Sequence, residues 1–213
     1  MIVIGGMIGL GKTTLAEKLG ERLGIPTYFE SVKDNKILPL FYKATPEENE
    51  KYRYSFLLQL SFLQSRLKQI KQAKLDKESI MDRSIYEDLY FAKTIHDEGR
   101  ISDLELAIYQ EMFEELVNDY PPLPSKSPSV MIYLHGSFET VLNRIKERGR
   151  DFELDEPSLR HHRLMWEGYD KWFHSFYKYS PVIEVDCDKR ACSFNKEDQD
   201  WLIEQLKPYI NID

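Results

Sequence analysis

The segment Gly6-Met7-Ile8-Gly9-Leu10-Gly11-Lys12-Thr13 satisfies G-x-x-x-x-G-K-[ST], with an apolar run before it and an amphipathic stretch after it. Glycines at these positions let backbone N–H groups turn inward around phosphate oxygens, with a helix N-terminus behind them adding partial positive charge. Lys12 is then expected at the β- and γ-phosphates of ATP, and the Thr13 hydroxyl on Mg2+, so that residues 6–14, Thr14 included, form a nucleotide loop. An ordinary glycine-rich turn would not satisfy both the motif and its strand–helix setting.

Phosphoryl transfer to an alcohol also needs a base. A carboxylate beside the nucleotide can take the hydroxyl proton, a second can hold Mg2+ directly or through water, and an arginine can neutralise the moving phosphoryl group. Glu30 and Asp82-Arg83-Ser84 each end a predicted strand, and in an open α/β sheet the ligand crevice lies outside the carboxyl ends of the strands. A lone acidic strand end is equally a helix cap or a solvated turn, so for Glu30 both readings stand. In Arg144-Ile145-Lys146-Glu147-Arg148-Gly149-Arg150, Arg144 and Arg148 share a helix face and Gly149 ends the helix, releasing Arg150. Such residues can simply offset a helix dipole, but beside a phosphate loop in an acidic chain they fit a phosphate-clamping lid.

Two patterns are set aside. Asn195-Lys196-Glu197-Asp198 fits the N-K-x-D pattern of guanine readers, but no aspartate in the chain is followed three residues on by glycine, so the companion D-x-x-G is missing. Asn195 and Asp198 read instead as a helix cap and an acidic first turn. His161-His162 sits in a helical stretch with Arg160 and Arg163, where adjacent residues diverge; it reads as solvated or packing rather than as a metal site.

The elements that must position these residues alternate between short apolar runs and amphipathic stretches, the mark of a mostly parallel sheet with crossover helices. Strands are predicted at Met1–Gly5, Thr27–Glu30, Ser79–Asp82, Val130–His135 and Val182–Val185. Helices are predicted at Thr14–Leu23 and over Glu47–Lys74, where Phe56, Leu60, Leu63, Leu67 and Ile70 line one face. Ser102 with Glu105 reads as a capping box for a helix to about Asn118. Ser137 caps one ending near Gly149, Pro157 suits the first turn of one reaching Tyr179, and Asn195 caps the last, to about Ile210. Tyr120–Pro128, with four prolines, reads as a surface loop, and the charged Gly149–Glu156 as a mobile lid.

A formal charge of −7 argues against a nucleic-acid partner, which would call for a basic face. Cys187 and Cys192 lack further Cys or His at zinc spacing and read as thiols of a reducing compartment. The start, Met1-Ile2-Val3-Ile4, lacks the features of a secretion signal, and no stretch approaches the ~20 apolar residues of a membrane span. One cytoplasmic α/β domain, residues 1–213, without a membrane partner, is expected.

In this order the P-loop, Glu30, Asp82-Arg83-Ser84 and Arg148-Gly149-Arg150 resemble the deoxynucleoside kinases, most nearly the bacterial deoxyadenosine/deoxyguanosine kinases. The resemblance runs from Met1 through Asp198. It takes in Glu30-Ser31-Val32, Leu38-Pro39-Leu40 and Asp82-Arg83-Ser84-Ile85-Tyr86-Glu87-Asp88. It implies a P-loop kinase fold, with a five-stranded parallel sheet flanked by helices, a lid at about residues 144–156, and a homodimer with helices paired across a two-fold axis. By resemblance, Glu30 takes the 5′-hydroxyl proton, Arg83 and Lys12 serve the phosphoryl group, and Asp82 helps order Mg2+. Tyr42 and Glu153 hold the 3′-hydroxyl, and Gln59, Arg66 and Asp88 read the base. Arg144, Arg148 and Arg150 are the lid arginines, and Asp186–Phe194 surrounds the ATP adenine. Where members of the family set aromatic rings against the base, this chain has Leu58 and Ala92, with Phe91 and Phe62 nearby.

Gln59 offers a donor and an acceptor, whereas Asp88, ionised and held by Arg66, only accepts and favours an exocyclic amine. Deoxyadenosine is therefore the expected leading substrate, with deoxyguanosine or deoxycytidine accepted and thymidine poor. A purely structural Arg66–Asp88 ion pair is the alternative. The competing enzyme is a nucleoside monophosphate kinase, which would need further Arg or Lys toward an anionic acceptor. A P-loop regulatory ATPase would not need Glu30, Tyr42, Gln59 and Glu153 together.

Overall fold

Strand β1, Ile2–Gly6, is buried along its whole length, as an apolar run without alternation demands when both faces of a sheet are covered. The computed structural model describes residues 1–30, 34–118 and 127–211. Around β1 lie β2 (Thr27–Tyr28), β3 (Ile80–Asp82), β4 (Val130–His135) and β5 (Val182–Asp186), in the order β2-β3-β1-β4-β5. Every pairing is parallel, with Ile4 opposite Asp82 on one side of β1 and Gly6 opposite Leu134 on the other. From β1 the chain goes first to β2 at one edge and back to β3, then to β4 and β5 on the other side, so the order switches at β1 and opens a crevice beyond its carboxyl end.

The helices are α1 (Lys12–Leu23), α2 (Leu38–Lys43), α3 (Pro46–Tyr52), α4 (Tyr54–Ala73), α5 (Ile85–Asp97), α6 (Asp103–Val117), α7 (Phe138–Arg148), α8 (Glu156–Phe176) and α9 (Lys196–Leu206). The caps read from sequence are present. Ser102 and Glu105 close a capping box on α6, Ser137 caps α7, Gly149 ends it in the left-handed region, and Asn195 caps α9. Pro157 stands in the first turn of α8, with Asp155 as its cap.

Several expectations are corrected. The long helix predicted over Glu47–Lys74 is two helices, because Arg53 turns left-handed at φ 55° between α3 and α4. That unfavourable turn is held from outside: Arg53 Nε donates to Glu105 Oε1 at 2.6 Å, and Asn49 bridges the Ser55 N–H and the Arg100 carbonyl. β2 stops at Tyr28, so Glu30 lies beyond the strand rather than ending it. α1 begins at Lys12, α8 stops at Phe176, and α9 gives way at Leu206 to a 3-10 turn over Lys207–Tyr209. His161 and His162 are buried, so packing and not solvation describes them. Ser31, Val32 and residues 120–126 of the predicted proline-rich loop lie outside the described residues.

The main core fills both faces of the sheet, while a second apolar cluster of Leu38, Phe41, Leu58, Ile95 and Ile101 joins α2 to α4 and α5. Burying Phe41 contributes about 2 kcal/mol. Such packing holds α2, whose six residues are too few for a helix that stands alone. This cluster forms one wall of the crevice.

Candidate active site

The phosphate loop takes its shape from backbone that only glycine adopts readily. Gly6, Gly9 and Gly11 have φ of 134°, 87° and 84°. A Cβ at Gly6 would run into the Leu134 carbonyl oxygen, and one at Gly11 would lie 2.6 Å from Ser193 Oγ. α1 starts immediately after Gly11, and no side chain caps it, which leaves its first-turn N–H groups facing the place a phosphate would occupy. Lys12 Nζ donates to the Gly6 and Met7 carbonyls at 2.8 and 2.9 Å. Burial, with Arg83 adding, lowers its ammonium to about 7, so an incoming triphosphate would restore full charge to it. The Met7 and Leu10 side chains point into the core, and these two residues serve the loop through their carbonyls, Leu10 O accepting from Arg144 Nη1 at 2.7 Å.

The loop opens onto a cavity of about 430 Å³. Ile8, Gly9, Gly11, Lys12, Thr13, Thr14, Arg144, Arg148 and Arg150 line its donor end, and Glu30, Tyr42, Gln59, Asp82, Arg83, Asp88 and Glu153 are reached from the same space. Arg66 alone of the base-reading set stands behind the wall, 1% exposed.

At the centre, Glu30 Oε1 accepts from Arg66 Nη2 at 2.7 Å and meets Arg83 Nε at 3.1 Å. Burial pushes this carboxyl up, but Arg83, Arg66 and Lys12 together outweigh it and hold the group well below the usual carboxylate range. Arg66 thus differs from its expected role. Its Nη1 donates to the Asp82 carbonyl at 3.0 Å and to Gln69 at 3.3 Å, while Asp88 Oδ2 stands 3.7 Å from Nε. Arg66 Nε and Asp88 Oδ2 are both buried without a hydrogen-bond partner. Burial drives the Asp88 carboxyl up to about 7, against the pull of Arg66 and with a push from Glu30. Replacing Arg66 and Asp88 together would consequently disturb Glu30 as well as the base site.

Thr13 Oγ1 donates to Asp82 Oδ2 at 2.5 Å, and Asp82 Oδ1 is buried with no partner. Burial and Glu30 raise Asp82. A hard-oxygen pair with one orphaned carboxylate atom beside a phosphate loop suits a hydrated divalent cation. Toward the lid, Glu153 accepts from Arg148 Nη2 at 2.5 Å and from Arg150 Nη1 at 3.3 Å, and the Tyr42 ring lies 5.3 Å from that of Phe152. Burial, then Glu153, raises the Tyr42 phenol, which stays a donor. Phe91 packs under Arg83, whose guanidinium lies 4.5 Å from the ring centre.

Sequence reasoning missed Phe41, His161 and Met165 on the cavity wall and Glu87 behind Arg83. His161, paired with Glu98 at 2.7 Å, gives no linear signal. Glu87 does, since Ser84-x-x-Glu87 is the same capping pattern as Ser102-x-x-Glu105.

A loop that cradles phosphates, with an ionised glutamate and an arginine across the same cavity, defines an ATP-dependent phosphotransferase. Within that class the chain belongs to the deoxynucleoside kinase family, which it matches over residues 2–211. It is 39% identical over 209 residues to a deoxyadenosine kinase of Lactobacillus acidophilus, covering 97% of this chain and 94% of that one. It is 36% identical to a deoxyguanosine kinase of Lactobacillus johnsonii, covering 97% and 90%. The solved deoxyadenosine kinase from M. mycoides with bound dATP superposes with a TM-score of 0.80 at 26% identity, covering 97% and 98%. The chain is thus an enzyme that phosphorylates a deoxynucleoside with ATP.

Proposed function

We propose that this enzyme moves the γ-phosphoryl group of ATP to the 5′-hydroxyl of deoxyadenosine foremost, with deoxyguanosine and deoxycytidine accepted and thymidine poor. The supporting observation is Glu30, ionised between Arg66 and Arg83 at the mouth of an acceptor space. That space is walled by Leu38, Phe41, Leu58, Phe91, Gln59 and Asp88, rather than by the added cations an anionic acceptor needs. Glu30 takes the hydroxyl proton as attack proceeds, Arg83 and Lys12 draw charge from the phosphoryl group, and the lid arginines enclose it. Thr13 and Asp82 would hold Mg2+, which when bound supplies charge neutralisation on the phosphates. Residues 1–213 act as one cytoplasmic kinase domain, with residues 144–156 as its lid; none of the described helices is long and apolar enough to cross a membrane. The test is a panel of the four deoxynucleosides with Mg·ATP, read as 5′-monophosphate formed. Turnover with nucleoside monophosphates in their place would make the chain a nucleoside monophosphate kinase.

Base choice is expected to follow pH. Below about 7 Asp88 carries a proton and donates, which suits guanine O6; above it, the carboxylate accepts from the adenine amine. The ratio of kcat/KM for deoxyadenosine over deoxyguanosine should rise about a hundredfold from pH 6 to pH 8, as the ratio of ionised to protonated Asp88 does. Asp88→Asn should flatten it. A ratio equally flat in the parent removes Asp88 from base reading.

The homodimer implied by family resemblance has a face to use. Leu104, Ile108 and Met112 stand four apart along α6, exposed by 71%, 43% and 43%, and Leu57 of α4 is likewise exposed. A charge there, Ile108→Glu, should shift the mass by light scattering from dimer to monomer without lowering the melting temperature. A dimer that persists places the interface elsewhere.

A further inference from the structure

We propose that Glu87 is a positioning residue that sets Arg83 against the P-loop for phosphoryl transfer; this rests on the role given to Arg83 above. As the third residue of α5, Glu87 takes the Ser84 N–H on Oε2 at 2.7 Å, the ordinary duty of a capping-box glutamate. Glu48 performs it on the exposed surface. Glu87 is only 1% exposed, and its other oxygen does something a cap does not require. Oε1 accepts from the Gly6 N–H at 3.0 Å, from Arg83 Nη1 at 3.2 Å and from the Tyr169 hydroxyl. One oxygen therefore joins the first residue of the phosphate loop, the arginine that follows β3, and α8.

Arg83 needs such a fixture. Its backbone is left-handed, φ 80°, at a residue other than glycine, and its N–H is tied to the Ile4 carbonyl at 2.9 Å. Glu30 takes Nε, Glu87 takes Nη1, and the Phe91 ring supports the plane. Nη2 is left without an acceptor among the described residues, on a side chain that lines the cavity. Two carboxylates and a ring thereby fix the guanidinium in place, with one nitrogen free for a phosphoryl oxygen.

Every partner of Glu87 is a donor, so Glu87→Gln sets an amide NH2 among donors at unchanged size. We expect kcat to fall on the order of 10²-fold, the usual loss when a reacting group is misplaced. KM for the nucleoside should stay within about threefold, and Glu87→Asp, which keeps the charge, should recover about tenfold of kcat. In an Arg83→Lys background, adding Glu87→Gln should lower kcat by no more than about threefold further. A helix cap alone would lower the melting temperature and leave kcat of the folded enzyme intact; that result, or fully additive losses in the double variant, overturns the proposal. If Glu87→Gln does not fold, the same cycle is run with Glu87→Asp. Normal kcat in Arg83→Lys would instead remove the role of Arg83 itself, a failure distinct from that of Glu87.

Discussion

Glu30→Gln is expected to lower kcat with deoxyadenosine by roughly 10²–10⁴-fold, the worth of a positioned general base. The geometry argues for the lower part of that range. Arg83, Arg66 and Lys12 hold the carboxyl well below its ordinary value, and a carboxylate so stabilised is a weak base. In a loose phosphoryl-transfer transition state the hydroxyl proton need not leave early, so the weakness is tolerable and the constant ionisation is the gain. The acid side of the pH–rate profile should accordingly show no limb from Glu30 between about pH 5 and pH 8. The amide also turns an NH2 toward two guanidinium groups, so a fall in melting temperature is expected together with the fall in kcat. That stabilisation has a defined sign: a depressed carboxyl contributes fully above its unfolded value, about 4.3, and loses the contribution as pH falls toward the folded one. Near-normal kcat in folded Glu30→Gln would take this residue out of the chemistry.

What could be read from the chain alone was whatever depends on near neighbours in sequence. β4 stands at its predicted bounds because Val130–Leu134 is an unbroken apolar run that stops at His135. The phosphate loop and the caps at Ser102, Ser137 and Asn195 are likewise local patterns of a few residues. The break between α3 and α4 was not readable. It falls on an arginine, the wrong residue for a left-handed turn, and the glutamate that secures it lies 52 positions away. α2 escaped notice because six residues carry no periodicity worth counting, and its stability comes from the side chains it packs against. The site shows the same division. Glu30 and Arg83 could each be marked as a charged residue near a strand end, whereas Asp88, within α5, could be marked only through the family resemblance. Arg66's choice of Glu30 over Asp88 depends on which carboxylate the folded sheet brings closer, 2.7 Å against 3.7 Å. With it the ionisation of Asp88 changes, and so does the expected rule for base choice.

A 2′,3′-dideoxynucleoside should lose about 10²–10³-fold in kcat/KM against its 3′-hydroxyl parent. The family resemblance implies that Tyr42 and Glu153 take the bound sugar's 3′-hydroxyl, a donor that burial keeps protonated and a carboxylate 2% exposed. Sites built to hydrogen-bond a hydroxyl can reject the analogue lacking it by about 10⁴–10⁵-fold, because their own polar groups are left buried and unpaired. Here the loss should be smaller. Glu153 keeps Arg148 and Arg150 whether or not the sugar arrives, so the absent hydroxyl strands chiefly the Tyr42 O–H. Glu153→Ala should then shrink the dideoxy penalty without abolishing it, since the carboxylate that accepted the sugar proton is gone from both reactions while the Tyr42 O–H is still stranded. The same change frees two arginines whose other task is to enclose the phosphates, so KM for ATP should move as well, although Glu153 is assigned no contact with the nucleotide. On that implied role, sugar recognition and lid closure would share one ion-pair cluster, and a correct acceptor would help assemble the donor side before transfer. An equal dideoxy penalty in parent and Glu153→Ala would separate the two, leaving Glu153 as a structural anchor for the lid and the 3′-hydroxyl to be read by other groups.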